Sequence, residues 1–158
     1  LEYKPEILDL ILDNGHEIYL GTRKALKSLD EPLSKTIPVQ TDWDDYITIV
    51  KSTKRIDTVI HAAGMEAKEC FENPAKALKV NGLNTAKIME ASIANGVKRF
   101  IYLSTVHVYK SPLAGEIDET TAPTNLHPYA TSKLAGEKLV LFAKKIVIFS
   151  RQVRNCSH

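Results

Sequence analysis

Arg55-Ile-Asp-Thr-Val-Ile-His-Ala-Ala-Gly64 is the stretch that decides the fold. A short β-branched apolar run that ends in small residues reads as a buried strand entering a tight turn. Downstream, Pro74 opens a helical pattern through Ala77, Leu78, Val80, Leu83, Ile88, Met89 and Ile93, and Asn95-Gly96 stops it. Val97 to Leu103 is then a second apolar run and a second strand. Strand, helix and strand in that order form the crossover unit of a parallel sheet.

The pattern extends in both directions. Upstream, Pro5 begins an amphipathic helix carrying Ile7, Leu8, Ile11 and Leu12, which closes at Asn14-Gly15. His16 to Gly21 reads as a strand ending in Thr22-Arg23-Lys24, and Thr36 to Gln40 as a short strand. Thr41-Asp42-Trp43-Asp44-Asp45 then leads into a helix reaching about Lys51. Downstream, Lys110 to Pro128 is polar, carries three prolines and reads as a loop; a helix follows from Tyr129 to about Ala143, and Lys145 to Phe149 makes a last strand. The expectation is an α/β fold with a doubly wound parallel sheet over residues 1–149 and an irregular tail at 150–158. In such sheets ligands sit beyond the carboxyl ends of the strands. Arg23, Asp42, Ala62, Ala63, Gly64, Ser104 and Thr105 each fall just past a strand end.

Composition narrows the class. The chain of 158 residues is 44% hydrophobic and 25% charged, ordinary for a globular domain with a real core. A net charge of +2, with its Lys and Arg dispersed, gives no footprint for nucleic acid. Cys70 and Cys156 form neither a disulfide framework nor a metal-binding pair, and no apolar run is long enough to span a bilayer. The expected setting is cytoplasmic, without a membrane or nucleic-acid partner.

Tyr129-Ala-Thr-Ser-Lys133 carries the chemistry. Positions i and i+4 share a helix face, so the Lys133 charge can lie near the Tyr129 hydroxyl. A nearby cation favours tyrosinate, which a phenol needs if it is to exchange protons near neutrality. His61 and His107 tempt a catalytic role, but this chemistry does not require them, and Cys70 reads as structural.

Taken together the residues resemble the extended short-chain dehydrogenase/reductase family, in its epimerase and dehydratase branch. The resemblance rests on Asp57 to Gly64, on Val80-Asn-Gly-Leu-Asn-Thr85 and on Arg99 to Tyr109. Glu119, Pro123, Pro128-Tyr129, Ser132-Lys133 and Glu137 then follow in the family's order. It implies a Rossmann-like fold and an NAD(P)-dependent oxidoreductase-type epimerase or reductase acting on a small hydroxyl or carbonyl substrate such as a nucleotide sugar. Tyr129 would be the acid/base, Lys133 would tune it and hold the nicotinamide ribose, and Thr105, ranked ahead of Ser104, would bind the reacting oxygen. Asn81 would support Lys133 through a water, against the alternative of an Asn facing solvent. Ala62 to Gly64 would run beneath the dinucleotide. Strand-end capping is the competing role for Ser104 and Thr105.

The second strand ends in Arg23 with no carboxylate to bond a ribose 2′-hydroxyl, which favours NADP over NAD. Asp42 would accept from the adenine amino group beside the Trp43 backbone, or cap the helix that follows. A dehydratase would carry an acidic pair where Val106 and His107 stand. The glycine-rich phosphate turn that the family places before its first helix is absent from the sequence, as is a substrate lobe, so the chain reads as a fragment of a longer enzyme. A non-catalytic NADP-binding regulator or an inert truncated product are the alternatives. A homodimer through helices 74–95 and 129–143 is expected by analogy.

Overall fold

A computed structural model of the chain describes residues 5–23, 33–109 and 116–143. They divide into two units, the break falling between Lys54 and Arg55. In the first, helix α1 (Pro5–Asp13) ends at Gly15, whose φ of 78° is left-handed. There the amide N–H groups of Gly15 and His16 turn back onto the carbonyls of Leu12 and Ile11 (2.9 and 3.3 Å). Strand β1 (Tyr19–Thr22) pairs in parallel with β2 (Ile37–Gln40), Tyr19 opposite Ile37 and Thr22 opposite Gln40. Helix α2 (Tyr46–Ser52) follows. Its cap is Asp45, whose carboxylate accepts from the Ile47 N–H at 2.9 Å. The capping role considered for Asp42 is therefore corrected: Asp42 lies a turn too early and accepts from the Asp44 N–H instead.

The second unit contains the deciding stretch. Strand β3 (Thr58–His61) pairs in parallel with β4 (Arg99–Tyr102), Thr58 opposite Arg99 and His61 opposite Tyr102. The pairing runs on past the strand ends, the Leu103 N–H reaching the His61 carbonyl at 3.1 Å. Between the strands lies α3 (Ala67–Glu72), which the sequence did not announce. It is six residues long and has no side-chain cap, so it carries no entry signal. Asn73 then caps α4 (Pro74–Ala77), accepting from the Lys76 N–H at 2.9 Å.

What reads as one long helix from Pro74 is interrupted. Leu78–Leu83 forms a π turn, in which the Asn84 N–H bonds the Lys79 carbonyl, before α5 (Asn84–Ala94) resumes α geometry. Gly96, with φ 70°, ends it as Gly15 ends α1, the Val97 N–H closing on the Ser92 carbonyl at 2.9 Å. After β4 a single 3₁₀ turn (Val106–Val108) precedes the polar loop, and α6 (Pro128–Ala143) starts one residue earlier than expected. The strand expected at 145–149 and the tail at 150–158 lie outside the described residues.

Two apolar clusters hold this unit. Met89, Phe100, Tyr102, Val140 and Ala143 form one, joined by Val59, Ile88 and Ile93. Met65, Cys70 and Ala77 form the other, joined by Val80 and Tyr129. The α6 backbone approaches the π turn closely at Gly136. A Cβ there would stand 2.5 Å from the Asn81 carbonyl oxygen and 2.8 Å from the Tyr102 hydroxyl.

Candidate active site

The start of α6 is built around Tyr129. Pro128 takes the first helical position, where a missing N–H costs nothing. His127 stands at the position usually held by Asn, Ser or Asp, and its Nδ1 accepts from the Tyr129 N–H at 3.2 Å. The His127 N–H donates to Asn125 Oδ1 (2.9 Å), and Asn125 Nδ2 donates to the His107 carbonyl (2.8 Å), tying the entry to the turn after β4. The half-buried Tyr129 ring packs on the Met65, Cys70 and Ala77 cluster, and the His107 ring meets it edge-on at 6.3 Å.

One turn later Lys133 is only 4% exposed. Its Nζ donates to the Leu103 carbonyl at 2.7 Å and lies 4.4 Å from the centroid of the Tyr102 ring. An ammonium has three hydrogens, so among the described residues two remain without a hydrogen-bond acceptor. Burial pushes the Lys133 pKa down to about 8, against the Cys70 and Glu137 side chains, which favour the charged form.

Asn81 sits in the π turn with no exposure, so the solvent-facing alternative is overturned. Its Oδ1 accepts from the Met65 N–H (2.9 Å), and its Nδ2 donates to Ser132 Oγ (2.9 Å) and approaches Cys70 Sγ (3.7 Å). One side chain thus joins the turn after β3, α3 and α6. The Asn81 carbonyl accepts from Thr85 Oγ1 at 2.7 Å, which makes the His61 Nε2, 3.0 Å away, the donor to that same hydroxyl. Burial, then the Lys133 charge, hold the His61 pKa down to about 3, so it is the satisfied neutral histidine expected of a strand end. Cys70 is buried and its pKa is raised chiefly by that burial, consistent with a structural thiol.

Two depressed bases give a defined pH response. A base whose pKa is lower in the folded state leaves the unfolded chain binding more protons between the two values, so stability climbs with pH across that window. For His61 the window runs from about 3 to 6.5, and for Lys133 from about 8 to 10.5. We expect the urea midpoint to rise from pH 5 to 6.5 and again above pH 8, with the second rise missing in Lys133→Met. An upper limb that survives in that variant would refute the assignment.

Ser104 and Thr105 take different roles past the end of β4. Ser104 Oγ donates to the buried Glu137 carboxylate at 2.6 Å. Thr105 caps the 3₁₀ turn, its Oγ1 accepting from the His107 N–H at 3.2 Å, which leaves the hydroxyl hydrogen for another acceptor. Ala62 and Gly64 are exposed and Ala63 half-buried in the turn after β3. A Cβ on Gly64 would meet Asn81 Oδ1 at 3.2 Å and Lys133 Nζ at 3.9 Å, so this small-residue turn passes close to both. Arg23 and Asp42 are exposed in the first unit and Trp43 is half-buried there.

Three polar residues at this end of the second unit were given no role from sequence. Ser132 could have been noticed as a hydroxyl three residues after Tyr129, and His127 as a polar residue directly before a helix-opening Pro. Glu137 lies one turn beyond Lys133 on the same face, but nothing in the sequence says that it is buried.

The described residues contain no helix long and apolar enough to cross a membrane and no group of three His, Cys, Asp or Glu side chains placed to hold a metal. A profile of the NAD dependent epimerase/dehydratase family matches residues 6–157. A GDP-6-deoxy-D-mannose reductase of Pseudomonas aeruginosa is 40% identical over 89 residues, covering 54% of this chain and 29% of its own length. A UDP-glucose 4-epimerase of Lacticaseibacillus casei is 31% identical over 137 residues, 85% of this chain and 39% of its own. The structure of MoeE5 in complex with UDP-glucose and NAD superimposes with a TM-score of 0.77 at 26% identity, over 92% of this chain and 47% of that one. The chain therefore spans less than half the length of each of these proteins.

Proposed function

The chain belongs to the NAD-dependent epimerase/dehydratase family, and from that premise we propose that it carries the acid/base part of a hydride-transfer site for an epimerase or reductase reaction on a nucleotide sugar. The observation that carries the reading is Lys133, a buried ammonium with two hydrogens left over, one turn after a half-buried phenol. Burying a charge is costly unless something uses it. The diol of a nicotinamide ribose would fit those two donors, and the Ala62-Ala63-Gly64 turn beside Lys133 Nζ offers little bulk to obstruct it.

When bound, the nicotinamide supplies the hydride acceptor or donor. The chain's own residues do the rest. Tyr129 takes the proton from the substrate hydroxyl, or returns it to the carbonyl, and Lys133 places positive charge beside that exchange. Thr105 offers its remaining hydrogen to the reacting oxygen and holds it in line. Asn81 fixes the Met65 amide and Ser132, and through them the turn and the helix that carry these groups. Arg23 supports NADP, as a planar fork suited to a 2′-phosphate.

Fluorescence titration of the chain with NADPH and NADH tests this. Saturable binding is expected, tighter for NADPH, reduced at least about tenfold for both by Lys133→Met and for NADPH alone by Arg23→Ala. Binding that ignores Lys133→Met would sink the proposed site. An NADH preference unaffected by Arg23→Ala would remove the NADP assignment and leave the site standing.

A further inference from the structure

We propose that Glu137 is a positioning residue that works through Ser104: with Lys133 one turn before it, it clamps the end of β4 onto α6 and fixes the segment that carries Thr105. The inference rests on the reading of the site above, and names a residue which that reading leaves without a role. Its basis is a pair of consecutive grips. Lys133 Nζ holds the carbonyl of Leu103 at 2.7 Å, and the Glu137 carboxylate holds the hydroxyl of Ser104 at 2.6 Å. The two side chains are four residues apart on one helix face, and their targets are adjacent in the chain. A third tie runs beneath them, from the Tyr102 hydroxyl to the Lys133 carbonyl at 3.1 Å.

The bond to Ser104 has the short length of a hydroxyl donating to a charged carboxylate. Glu137 is only 3% exposed, and an apolar residue would fill such a place at lower cost. A carboxylate adds direction: it fixes the Ser104 side chain, and so the backbone leading into Thr105 and the 3₁₀ turn that Thr105 caps. Its charge also favours the protonated form of Lys133, so one residue serves both halves of the clamp.

Amide hydrogen exchange by NMR on the 158-residue chain separates this from a general packing role. The Leu103 N–H, bonded to the His61 carbonyl, and the His107 N–H, bonded to Thr105 Oγ1, report on the clamped segment. The Val97 N–H, bonded to the Ser92 carbonyl, is the reference. In Ser104→Ala and Glu137→Ala, both reporter amides should exchange at least about tenfold faster, with Val97 changed less than about threefold. Glu137→Gln, which keeps an acceptor of the same shape, should stay within about threefold of the parent at the reporters.

If the reporters and Val97 accelerate together, or Gln fails where Glu works, the positioning role is overturned. Should Glu137→Ala not fold, Ser104→Ala decides alone, because it breaks the same bond from the other side. A parallel NADH titration keeps the two readings apart: absence of binding in the parent counts against the proposed function, while the exchange pattern still judges the clamp.

Discussion

Tyr129→Phe is expected to lower turnover by roughly 10²–10⁴-fold, the range for removing a positioned general acid/base. Cofactor affinity should stay within about twofold, because only the reacting oxygen is lost. The ring would still pack on Met65, Cys70, Ala77 and Val80, and the His107 edge contact would remain. The backbone N–H of residue 129 would still donate to His127, so the helix start is not disturbed. Nicotinamide absorbance during incubation with UDP-, GDP- and dTDP-linked sugars reads the rate, and the fluorescence titration reads affinity. Turnover that survives the substitution would remove Tyr129 from the chemistry. Equal loss of affinity and rate would make it a binding residue instead.

The largest effect on stability belongs to Gly136→Ala. Adding one methyl in a helix interior normally gains about 1 kcal/mol over glycine. Here the methyl would arrive 2.5 Å from a backbone carbonyl oxygen of the π turn, 2.8 Å from the Tyr102 hydroxyl and 3.2 Å from Thr85 Oγ1. Backbone cannot swing aside as a side-chain tip can, so α6 would have to move off the turn. The Tyr102 hydroxyl bond to the Lys133 carbonyl and the Asn81 bond to Ser132 would be disturbed with it. Overpacking of this kind costs about 1–3 kcal/mol or somewhat more, which outweighs the propensity gain. Gly82→Ala is the internal control. Its Cβ would meet only the tip of Leu78 at 3.4 Å and Ala135 at 3.7 Å as its nearest neighbours, so it should be neutral or slightly stabilising. Urea unfolding of the two variants should place them on opposite sides of the parent or nearly so. A Gly136→Ala protein as stable as the parent would mean the helices are not in this close contact.

How much of this could be read from the sequence depended on whether the signal was local. The helix stops at Gly15 and Gly96 were legible because a residue in the left-handed region is nearly a glycine signature, and both Asn-Gly pairs ended helices as expected. The parallel pairing of β3 with β4 was legible because an intervening helix leaves little choice. Helix α3 was missed because six residues without a side-chain cap carry too little periodicity. The π turn was missed for a related reason: apolar spacing at Leu78, Val80 and Leu83 satisfies an α pattern well enough to hide one extra residue. For the candidate site, residue types were legible and roles were not. Asn81 could be singled out, but only the fold shows it wholly buried and spread over Met65, Ser132 and Cys70. Ser104 looked like a ligand-facing hydroxyl, yet its hydrogen goes to Glu137, a residue 33 positions away whose burial no local pattern reveals.

The π turn also bears on how this segment can change over time. An α-helix turns about 100° per residue, so one extra residue in a turn sets the angular phase of everything after it. Deleting any single residue within Leu78–Leu83 would let the helix relax to ordinary winding and rotate α5 by about that angle. Thr85 would leave its place between His61 and the Asn81 carbonyl, and Met89 would turn out of the core. Substitutions here can be absorbed one contact at a time. A change in length cannot, so the spacing between Pro74 and Gly96 is itself a fixed quantity of the fold.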